Sequence, residues 1–373
     1  MTRLSKLAAA SVLATTAYAQ CGSAPDATVD GTEGAYTAKV GSSEVYSGSD
    51  YYTAITEALG GISSGQKVSV IASGNIGAKT ISIDSGKTFE GCGTITASIA
   101  NGKGAIESLN TEGVNIPYLS LAGEVYFGLH FYGTSDLTLG EIDMTLTAGI
   151  GIRFDRDEAA NTNVKMGTIT VTGASVSHSI LTLSLMASLP LTSEQSHAVE
   201  TWNIDGLTID SVIASDVGEC GLLLQKTTNA HVGLVQGDNA GAGTGYATLR
   251  FANQNGMLAD GSYETNVVID KVVSRGGGRG IFCVSESGGA EIGTVDLSDN
   301  ENNAILIENC YNVAIKGGTV QGGGEVRLSA RDEFALTRDI SLTLEVNDNS
   351  VRESPCSENP TFSITGDATL DIC

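Results

Sequence analysis

Short apolar alternations recur along the chain, and the clearest of them is a five-residue block found five times between residues 221 and 330. In each block the second and fourth residues are apolar. Successive side chains of a β-strand point to opposite faces, so these residues are predicted to face one side and the third and fifth residues the other. The blocks occupy residues 221–225, 248–252, 280–284, 304–308 and 325–329.

The spacing of the blocks predicts a repeat architecture. They start 27, 32, 24 and 21 residues apart, and repeats of this length with one strand per unit indicate a solenoid. Less regular alternations run from residue 67 to residue 146, and the block pattern appears again at residues 151–155. We therefore predict an all-β chain in which residues 49–373 form one domain, a single-stranded right-handed parallel β-helix.

The start of that domain is predicted to be helical. Apolar residues recur at helical spacing over residues 51–59, between Asp50, a candidate N-cap, and the Gly60-Gly61 pair. An open end of a solenoid needs a cover, so this helix is predicted to cap the N-terminal end. Residues 20–48, rich in Gly, Ser and Thr, are predicted to be an extended arm.

The first nineteen residues have the features of a secretory signal peptide. Arg3 and Lys6 precede a short apolar run, and Ala17-Tyr18-Ala19 matches a cleavage site before Gln20. The run is too short for a membrane span, and no later segment reaches the roughly 18 apolar residues that a span requires. The sequence therefore predicts a secreted, extracellular protein that does not enter a membrane.

Charge restricts the class of ligand. The chain of 373 residues has a formal net charge of −23 at pH 7. Nucleic acid is excluded as a partner, because its binding depends on clustered Lys and Arg. The acidity also disfavours polyanionic ligands, unless Arg or a cation is concentrated locally.

Seven cysteines in an exported chain predict disulfides with one thiol left over. Cys356 and Cys373 are predicted to pair near the C-terminus, and Cys21 and Cys92 to tie the arm to the first coils. Cys283 occupies an inward position of its block, so we predict a buried core thiol there.

The chain resembles the pectin-lyase-like superfamily of right-handed parallel β-helices. The resemblance rests on the helix at residues 51–59, the following Val68-Ser-Val-Ile71 and the Asn-rich turns, and it covers most of residues 36–350. It implies a secreted polysaccharide lyase or glycoside hydrolase, although some members are non-enzymatic surface proteins. The Gly-His-Gly, Arg-Ile-Lys and Trp-Ile-Asp-His signatures of its best-known families are missing, so no particular family is assigned.

The outward positions of the blocks carry the candidate chemistry. Adjacent strands lie about 4.8 Å apart, so groups one coil apart can act on the same sugar. Arg275 and Arg279 flank a triple Gly that permits close backbone approach to a ligand. We predict Arg250, Lys226 and Asp155 as catalytic residues and Arg153, Gln225, Arg275, Arg279 and Glu308 as substrate-binding residues.

Two mechanisms fit these residues. In β-elimination a base such as Lys226 or an Arg removes the C5 proton of a uronate, while Arg250, Arg153 or bound Ca²⁺ neutralises the carboxylate. Lys226 lies 24 residues before Arg250, a spacing similar to the Lys and Arg pair of β-helical alginate and dermatan-type lyases. In hydrolysis two carboxylates flank the glycosidic bond. The candidates for that pair are Asp155, Asp157, Glu219 and Glu308.

Lyase activity on an acidic polysaccharide is the first expectation, glycoside hydrolysis the second, and a non-catalytic wall or adhesive protein the third. Two long segments, residues 183–203 and 253–266, could wall a cleft beside the block strands. His130, His178, His197 and His231 show no ligand spacing, so we predict that they lie at the surface or in turns.

Overall fold

The structure, a computed structural model, describes residues 21–156, 158–174 and 196–373. The predicted signal peptide at residues 1–19, His178 and Asp157 lie outside the described residues, as does most of the long segment at residues 183–203. The described chain is all-β and forms a parallel β-solenoid of about twelve turns. The predicted solenoid is thereby confirmed, while its right-handedness stays a prediction.

One helix and 27 strands occupy the described residues. The helix is α1 (Tyr51–Gly60). The strands are β1 (Ala27–Thr32), β2 (Ala35–Val40), β3 (Ser43–Gly48), β4 (Lys67–Val70), β5 (Gly74–Gly77), β6 (Ile81–Ser82), β7 (Thr88–Ala97), β8 (Gly104–Leu109), β9 (Asn115–Tyr132), β10 (Thr138–Phe154), β11 (Asn161–Thr172), β12 (Val199–Trp202), β13 (Ile204–Ser215), β14 (Leu222–Gln225), β15 (Thr228–Asp238), β16 (Ala247–Ala252), β17 (Val267–Arg275), β18 (Arg279–Cys283), β19 (Gly288–Ser298), β20 (Asn303–Glu308), β21 (Tyr311–Ile315), β22 (Gly318–Gln321), β23 (Val326–Ser329), β24 (Arg338–Asn347), β25 (Ser350–Ser354), β26 (Thr361–Gly366) and β27 (Thr369–Asp371).

The repeated blocks form consecutive strands of one parallel sheet, which we call the repeat sheet. It runs from β8 through the C-terminal parts of β9 and β10 to β12, β14, β16, β18, β20, β23, β25 and β27. Each strand therefore adds one coil of the solenoid. Its second- and fourth-position residues are at most 1% exposed in all five blocks, which confirms the predicted inward face.

Small residues at the first block position allow the coils to stack closely. A Cβ atom on Gly151 would lie 2.4 Å from the carbonyl oxygen of Ala198 in the next coil, and one on Gly280 would lie 2.6 Å from that of Ala304. Both distances are far inside van der Waals contact. The block therefore combines a close-packing residue with two core residues and two outward positions.

The N-terminal residues are more ordered than an extended arm. Strands β1, β2 and β3 pair antiparallel, and β1 also pairs parallel with β4 of the first coil. The predicted helix is present as α1: Asp50 accepts a hydrogen bond from the Thr53 N–H at 3.2 Å, and the apolar stripe is buried. Its role as the solenoid cap stays a prediction. Across the described ranges, no helix is long and apolar enough to cross a membrane.

Three disulfides join the described coils. The predicted pairs Cys21–Cys92 and Cys356–Cys373 are confirmed. The prediction for Cys283 is wrong in one respect: its side chain is buried, but it is bonded to Cys310 one coil further on. The side chain of Cys283 points into the core as predicted, and there it meets Cys310 of the neighbouring coil, to which it is bonded. Cys220 is the free cysteine, and it is buried.

We expect the Cys283–Cys310 bond to contribute about 3–4 kcal/mol to stability, because it closes a loop with a sequence separation of 27 residues. Replacing both cysteines with Ala should lower the free energy of unfolding by about that amount, measured by urea denaturation. Cys220→Ala, which breaks no disulfide, is the control and should cost about 1 kcal/mol. Equal losses in the two variants would contradict the expectation.

Candidate functional site

The outward third positions of the repeat sheet form a continuous row across its strands, which we call the outer row. Strand pairing places each member beside the next. In order, the row consists of Glu107, His130, Arg153, Glu200, Leu223, Arg250, Phe282, Leu306, Arg327, Arg352 and Asp371. It confirms that Arg153 and Arg250 lie in one outward row, although two strands separate them.

The first part of the outer row is a buried charged network. His130 lies between two carboxylates, with Nδ1 2.9 Å from Glu107 Oε1 and Nε2 2.6 Å from Asp155 Oδ2. Arg153 Nε donates to Asp155 Oδ1 at 3.1 Å, and its guanidinium also pairs with Glu200. We call these five residues the charged network. Opposite charges alternate along its contacts, because Asp155 lies between His130 and Arg153, which are neighbours in register.

Proton binding at His130 is favoured by this position. Burial alone would lower the pKa of His130, but the hydrogen bonds that the ring donates to Asp155 and Glu107 outweigh it and raise the pKa above the ordinary value. Burial alone would raise the pKa of the Asp155 carboxyl group. The hydrogen bond that it accepts from His130 lowers that pKa, and the net result is a pKa below the ordinary value. The charged form of the network is therefore the stable one near neutral pH.

These contacts disfavour three predicted roles. Arg153 is 9% exposed, and its guanidinium already binds Asp155 and Glu200. Gln225 donates to Glu200 Oε1 at 2.7 Å and accepts from Asn253 at 2.5 Å. A ligand would have to displace these partners before it could bind Arg153 or Gln225, or use Asp155 as a base.

A second group forms the arginine–aromatic site, which we define as Tyr246, Arg250, Arg279 and Phe282. The Arg250 guanidinium carbon lies 4.9 Å from the centroid of the Tyr246 ring and 5.0 Å from that of Phe282. The Arg279 guanidinium carbon lies 4.6 Å from the same Phe282 ring. Two cations thus share one aromatic ring on the outer face of the repeat sheet, where each cation gains from the electron-rich face.

Neither guanidinium of this site has a carboxylate partner within ion-pair distance in the described part of the chain. Arg279 instead donates to Asn303 Oδ1 at 3.0 Å and to the carbonyl oxygen of Gly245. The Nε atom of Arg250 is buried without a hydrogen-bond partner. Burial and the nearby charge of Arg250 lower the pKa of Arg279, although Glu308 opposes them. The site therefore has positive charge available for an anionic ligand.

Behind Tyr246 lies a buried hydrogen-bonded group. The Nε2 atom of His197 is 3.0 Å from Glu219 Oε2, and the backbone N–H of Cys220 donates to His197 Nδ1 at 3.0 Å. The His197 Nε2 atom is therefore within ion-pair distance of Glu219 but does not form an aligned hydrogen bond to it. Tyr246 hydrogen-bonds the same carboxylate, and burial together with Glu219 raises the pKa of its phenol. Tyr246 keeps its proton near neutral pH and is held against Arg250.

Two other predicted residues lie apart from this site, and a third, Glu308, acts on Arg279 through its charge but pairs with another residue. Lys226 follows the end of β14 and places its ammonium 5.9 Å from the centroid of the Trp202 ring. Arg275 pairs with Asp296 on neighbouring strands of a different face of the solenoid, β17 and β19. Glu308 accepts from Arg331 Nε at 2.8 Å. The predicted cooperation of Lys226 with Arg250 is therefore not supported by a contact.

The segment at residues 253–266 runs toward later coils. Gln254 N–H donates to the Ser285 carbonyl at 3.0 Å, and Asn312 donates to the Tyr263 carbonyl at 2.7 Å. The Tyr263 ring packs against Tyr311 with centroids 5.1 Å apart. The segment thus lies beside the turn that follows β18 and beside the start of β21.

The described residues contain one close group of three candidate metal ligands, Cys21, Glu90 and Cys92. The two sulfur atoms are bonded to each other, and Glu90 binds Ser69 at 2.5 Å and Lys67 at 3.1 Å. A disulfide offers no thiolate, so this group does not suit a metal ion. Calcium binding stays a prediction without a described site.

The sequence reasoning missed several residues of both sites and misplaced two histidines. His130 and His197 were predicted at the surface or in turns, but they are 4% and 0% exposed. The block pattern fits residues 128–132 in full, while residues 105–109 and 198–202 keep its apolar second residue but carry Ser108 and Thr201 at the fourth position. Reading these earlier blocks in register would have placed Glu107, His130 and Glu200 on the outer row.

Comparisons with protein-family models, curated proteins and solved structures found no match.

The position of His130 generates a stability prediction. A raised pKa in the folded state contributes stability that is fully present below the ordinary His value of about 6.5 and is lost as pH rises through the folded-state value. We expect the free energy of unfolding to fall from neutral into alkaline pH because the network then loses its central cation. Urea denaturation at several pH values measures this dependence.

His130→Gln tests the cause. It leaves Glu107 and Asp155 buried without their shared cation, which should cost about 3–5 kcal/mol below neutral pH and remove the alkaline loss. His231→Gln is the matched control, because His231 pairs with Asp270 on the exposed surface. It should change stability by less than about 0.5 kcal/mol. An unchanged pH profile in His130→Gln would contradict the assignment.

Proposed function

We propose that the chain is a secreted carbohydrate-active enzyme that binds a uronate-containing polysaccharide along the repeat sheet and cleaves it by β-elimination. The observation that carries the proposal is the arginine–aromatic site. In a chain of net charge −23, Arg250 and Arg279 keep their guanidiniums free of carboxylate partners from the described residues. An uncompensated pair of this kind suits an anionic ligand, and the half-buried Tyr246 ring, rather than the buried Phe282 ring, offers an apolar face to a sugar.

The chemistry of β-elimination gives each group a role. Arg250 would bind the uronate carboxylate and stabilise the negative charge that develops when the C5 proton leaves. Arg279, whose pKa burial and Arg250 lower, would take that proton in its neutral form. The electron pair of the C5–H bond then forms the C4–C5 double bond as the C4–O bond breaks. The leaving oxygen can take a proton from the Tyr246 phenol.

Arg279 replaces Lys226 as the favoured base in this proposal. Lys226 contacts Trp202 rather than Arg250, whereas Arg279 shares the Phe282 ring with Arg250. A base and a carboxylate-binding group must reach adjacent atoms of one sugar, which requires them to lie close together.

Glycoside hydrolysis is less well supported. It needs two carboxyl groups that are free to act as acid and base across one glycosidic bond. Asp155 binds His130 and Arg153, Glu219 binds His197, and Glu308 binds Arg331. A non-catalytic wall or adhesive protein would use the same cationic site for binding alone, so it is the alternative that experiment must separate from a lyase.

Secretion and the capping role of α1 are part of the proposal. Three disulfides suit an oxidising, extracellular environment. Helix α1 packs its apolar stripe beside the first coil, where an exposed sheet edge would otherwise invite pairing with another chain.

The first experiment is incubation with polyuronates from plant, algal and microbial sources, with their methyl esters as uncharged controls. We expect at least one free acid to yield both new reducing ends and the ultraviolet absorbance of a conjugated double bond. Reducing ends without that absorbance would identify a hydrolase. Binding without either product would identify a non-catalytic protein, and the absence of binding to every polymer would overturn the proposal.

The second experiment removes the cation. Arg250→Ala should weaken polyuronate binding roughly 10- to 100-fold, because a charge-assisted hydrogen-bonded pair contributes about 1.5–3 kcal/mol. Arg250→Lys should recover only part of the loss, since it lacks the planar fork. Arg275→Ala is the control, because Arg275 pairs with Asp296 away from the repeat sheet. Wild-type binding in Arg250→Ala would exclude the arginine–aromatic site.

A further inference from the structure

The repeat sheet has a second cation held over an aromatic ring. Trp202, the only Trp of the chain, ends strand β12, and the Lys226 ammonium lies 5.9 Å from the centroid of its ring. Lys226 is exposed, Trp202 is half-buried, and within the described residues the ammonium forms no ion pair. We propose that Trp202 and Lys226 form a second subsite for the same acidic polysaccharide, an inference that rests on the proposed function.

The surface between the two groups suits a bound chain. Trp202 is beside Gln225, and Gln225 is beside Ala252, in the register of β12, β14 and β16. The Gln225 amide is fixed by Glu200 and Asn253, and Ala252 adds only a methyl group. Gln225 and Ala252 are only 5% and 2% exposed, so a ligand that extends from Trp202 toward Arg250 would gain its contacts at its two ends rather than from these residues.

Strand geometry gives the length of ligand required. Trp202 and Arg250 are two strands apart, and Arg250 precedes Ala252 by two residues along β16. With about 4.8 Å between strands and about 3.3 Å per residue, their Cα atoms are about 12 Å apart. That separation exceeds one pyranose ring, so only an oligosaccharide can occupy both subsites.

The chemistry of the second subsite matches an acidic sugar. An indole face packs against the apolar face of a pyranose ring, and a neighbouring ammonium attracts its carboxylate. In the ligand-free protein the ammonium is beside the ring, so it is already positioned for that contact. A neutral sugar would use the ring alone and gain nothing from Lys226.

Trp202 also allows ligand binding at the second subsite to be measured by fluorescence. Because the chain has no other Trp, a change in intrinsic fluorescence reports on this ring directly. We expect acidic oligosaccharides of increasing length to change the fluorescence, with a sharp gain in affinity once one ligand reaches both subsites. The linked sites act through a raised effective concentration. Calorimetry on the same samples measures binding independently of Trp202.

Variants separate the two subsites. Lys226→Ala should weaken binding of the longer oligosaccharides roughly 3- to 10-fold, the size expected for an exposed cation, and leave the shortest Arg250-dependent ligand unaffected. Lys271→Ala removes an exposed Lys of β17, outside the repeat sheet, and should change nothing. Trp202→Phe should retain more affinity than Trp202→Ala because it keeps an aromatic face, with circular dichroism confirming that both variants fold.

These experiments distinguish failure of the second subsite from failure of the proposed function. If calorimetry detects Arg250-dependent binding of long oligosaccharides while the fluorescence and the Lys226→Ala affinity stay at wild-type values, the second subsite is wrong and the proposed function stands. If calorimetry detects no binding of any acidic polymer, both are overturned. If Lys226→Ala and Lys271→Ala have equal effects, Lys226 acts only through the general surface charge. That result would also overturn the second subsite.

Discussion

Parallel pairing in register joins each turn of the solenoid to the next, and this constraint determines which side chains must lie about 4.8 Å apart. On the inward face it stacks apolar residues into one core. On the outward face it would stack like charges if neighbouring coils carried them. Most charged residues of the outer row have a carboxylate or cation partner nearby, and Arg250 has none among the described residues. This difference separates charged residues with a structural role from those that are candidates for ligand binding.

In the charged network His130 and Arg153 are direct neighbours in register, and Asp155 lies between the two cations. His130 stands between Glu107 and Asp155, and Arg153 between Asp155 and Glu200, so each cation is compensated from two sides. Near the other end, Arg327 and Arg352 are direct neighbours in register. Arg327 reaches Glu325 at 3.6 Å, and Arg352 reaches Asp371 at 3.6 Å. Even where like charges adjoin, a nearby carboxylate neutralises them.

Arg250 departs from this pattern because its neighbours in register are Leu223 and Phe282. No acidic side chain can reach it from the same position of the adjacent coils. Its guanidinium therefore rests on aromatic rings, which leave its hydrogen-bonding edge less satisfied than a carboxylate would. The same register that compensates Arg153 thus leaves Arg250 free, and this difference supports assigning the ligand to Arg250.

The sequence predicted the core better than the site, for a physical reason. Inward positions such as Leu249 and Ile305 follow from alternation within one strand, which is local. Outward partners depend on register between coils, which varies with coil length. Lys226 lies 24 residues before Arg250, but the blocks at residues 221 and 248 are 27 apart. Arg250 therefore pairs with Leu223, and an average coil length could not predict this.

The net charge of the chain also shapes where an acidic polymer can bind. A protein of charge −23 repels a polyuronate over most of its surface, so binding depends on places where cations outnumber carboxylates. At physiological salt, charges more than about 8 Å apart are largely screened. The Cα atoms of Trp202 and Arg250 are about 12 Å apart, so in the proposed binding mode each subsite must make its own close contact. Two separate contacts on one sheet would fix the direction of a bound chain across the strands, which a single cation could not do.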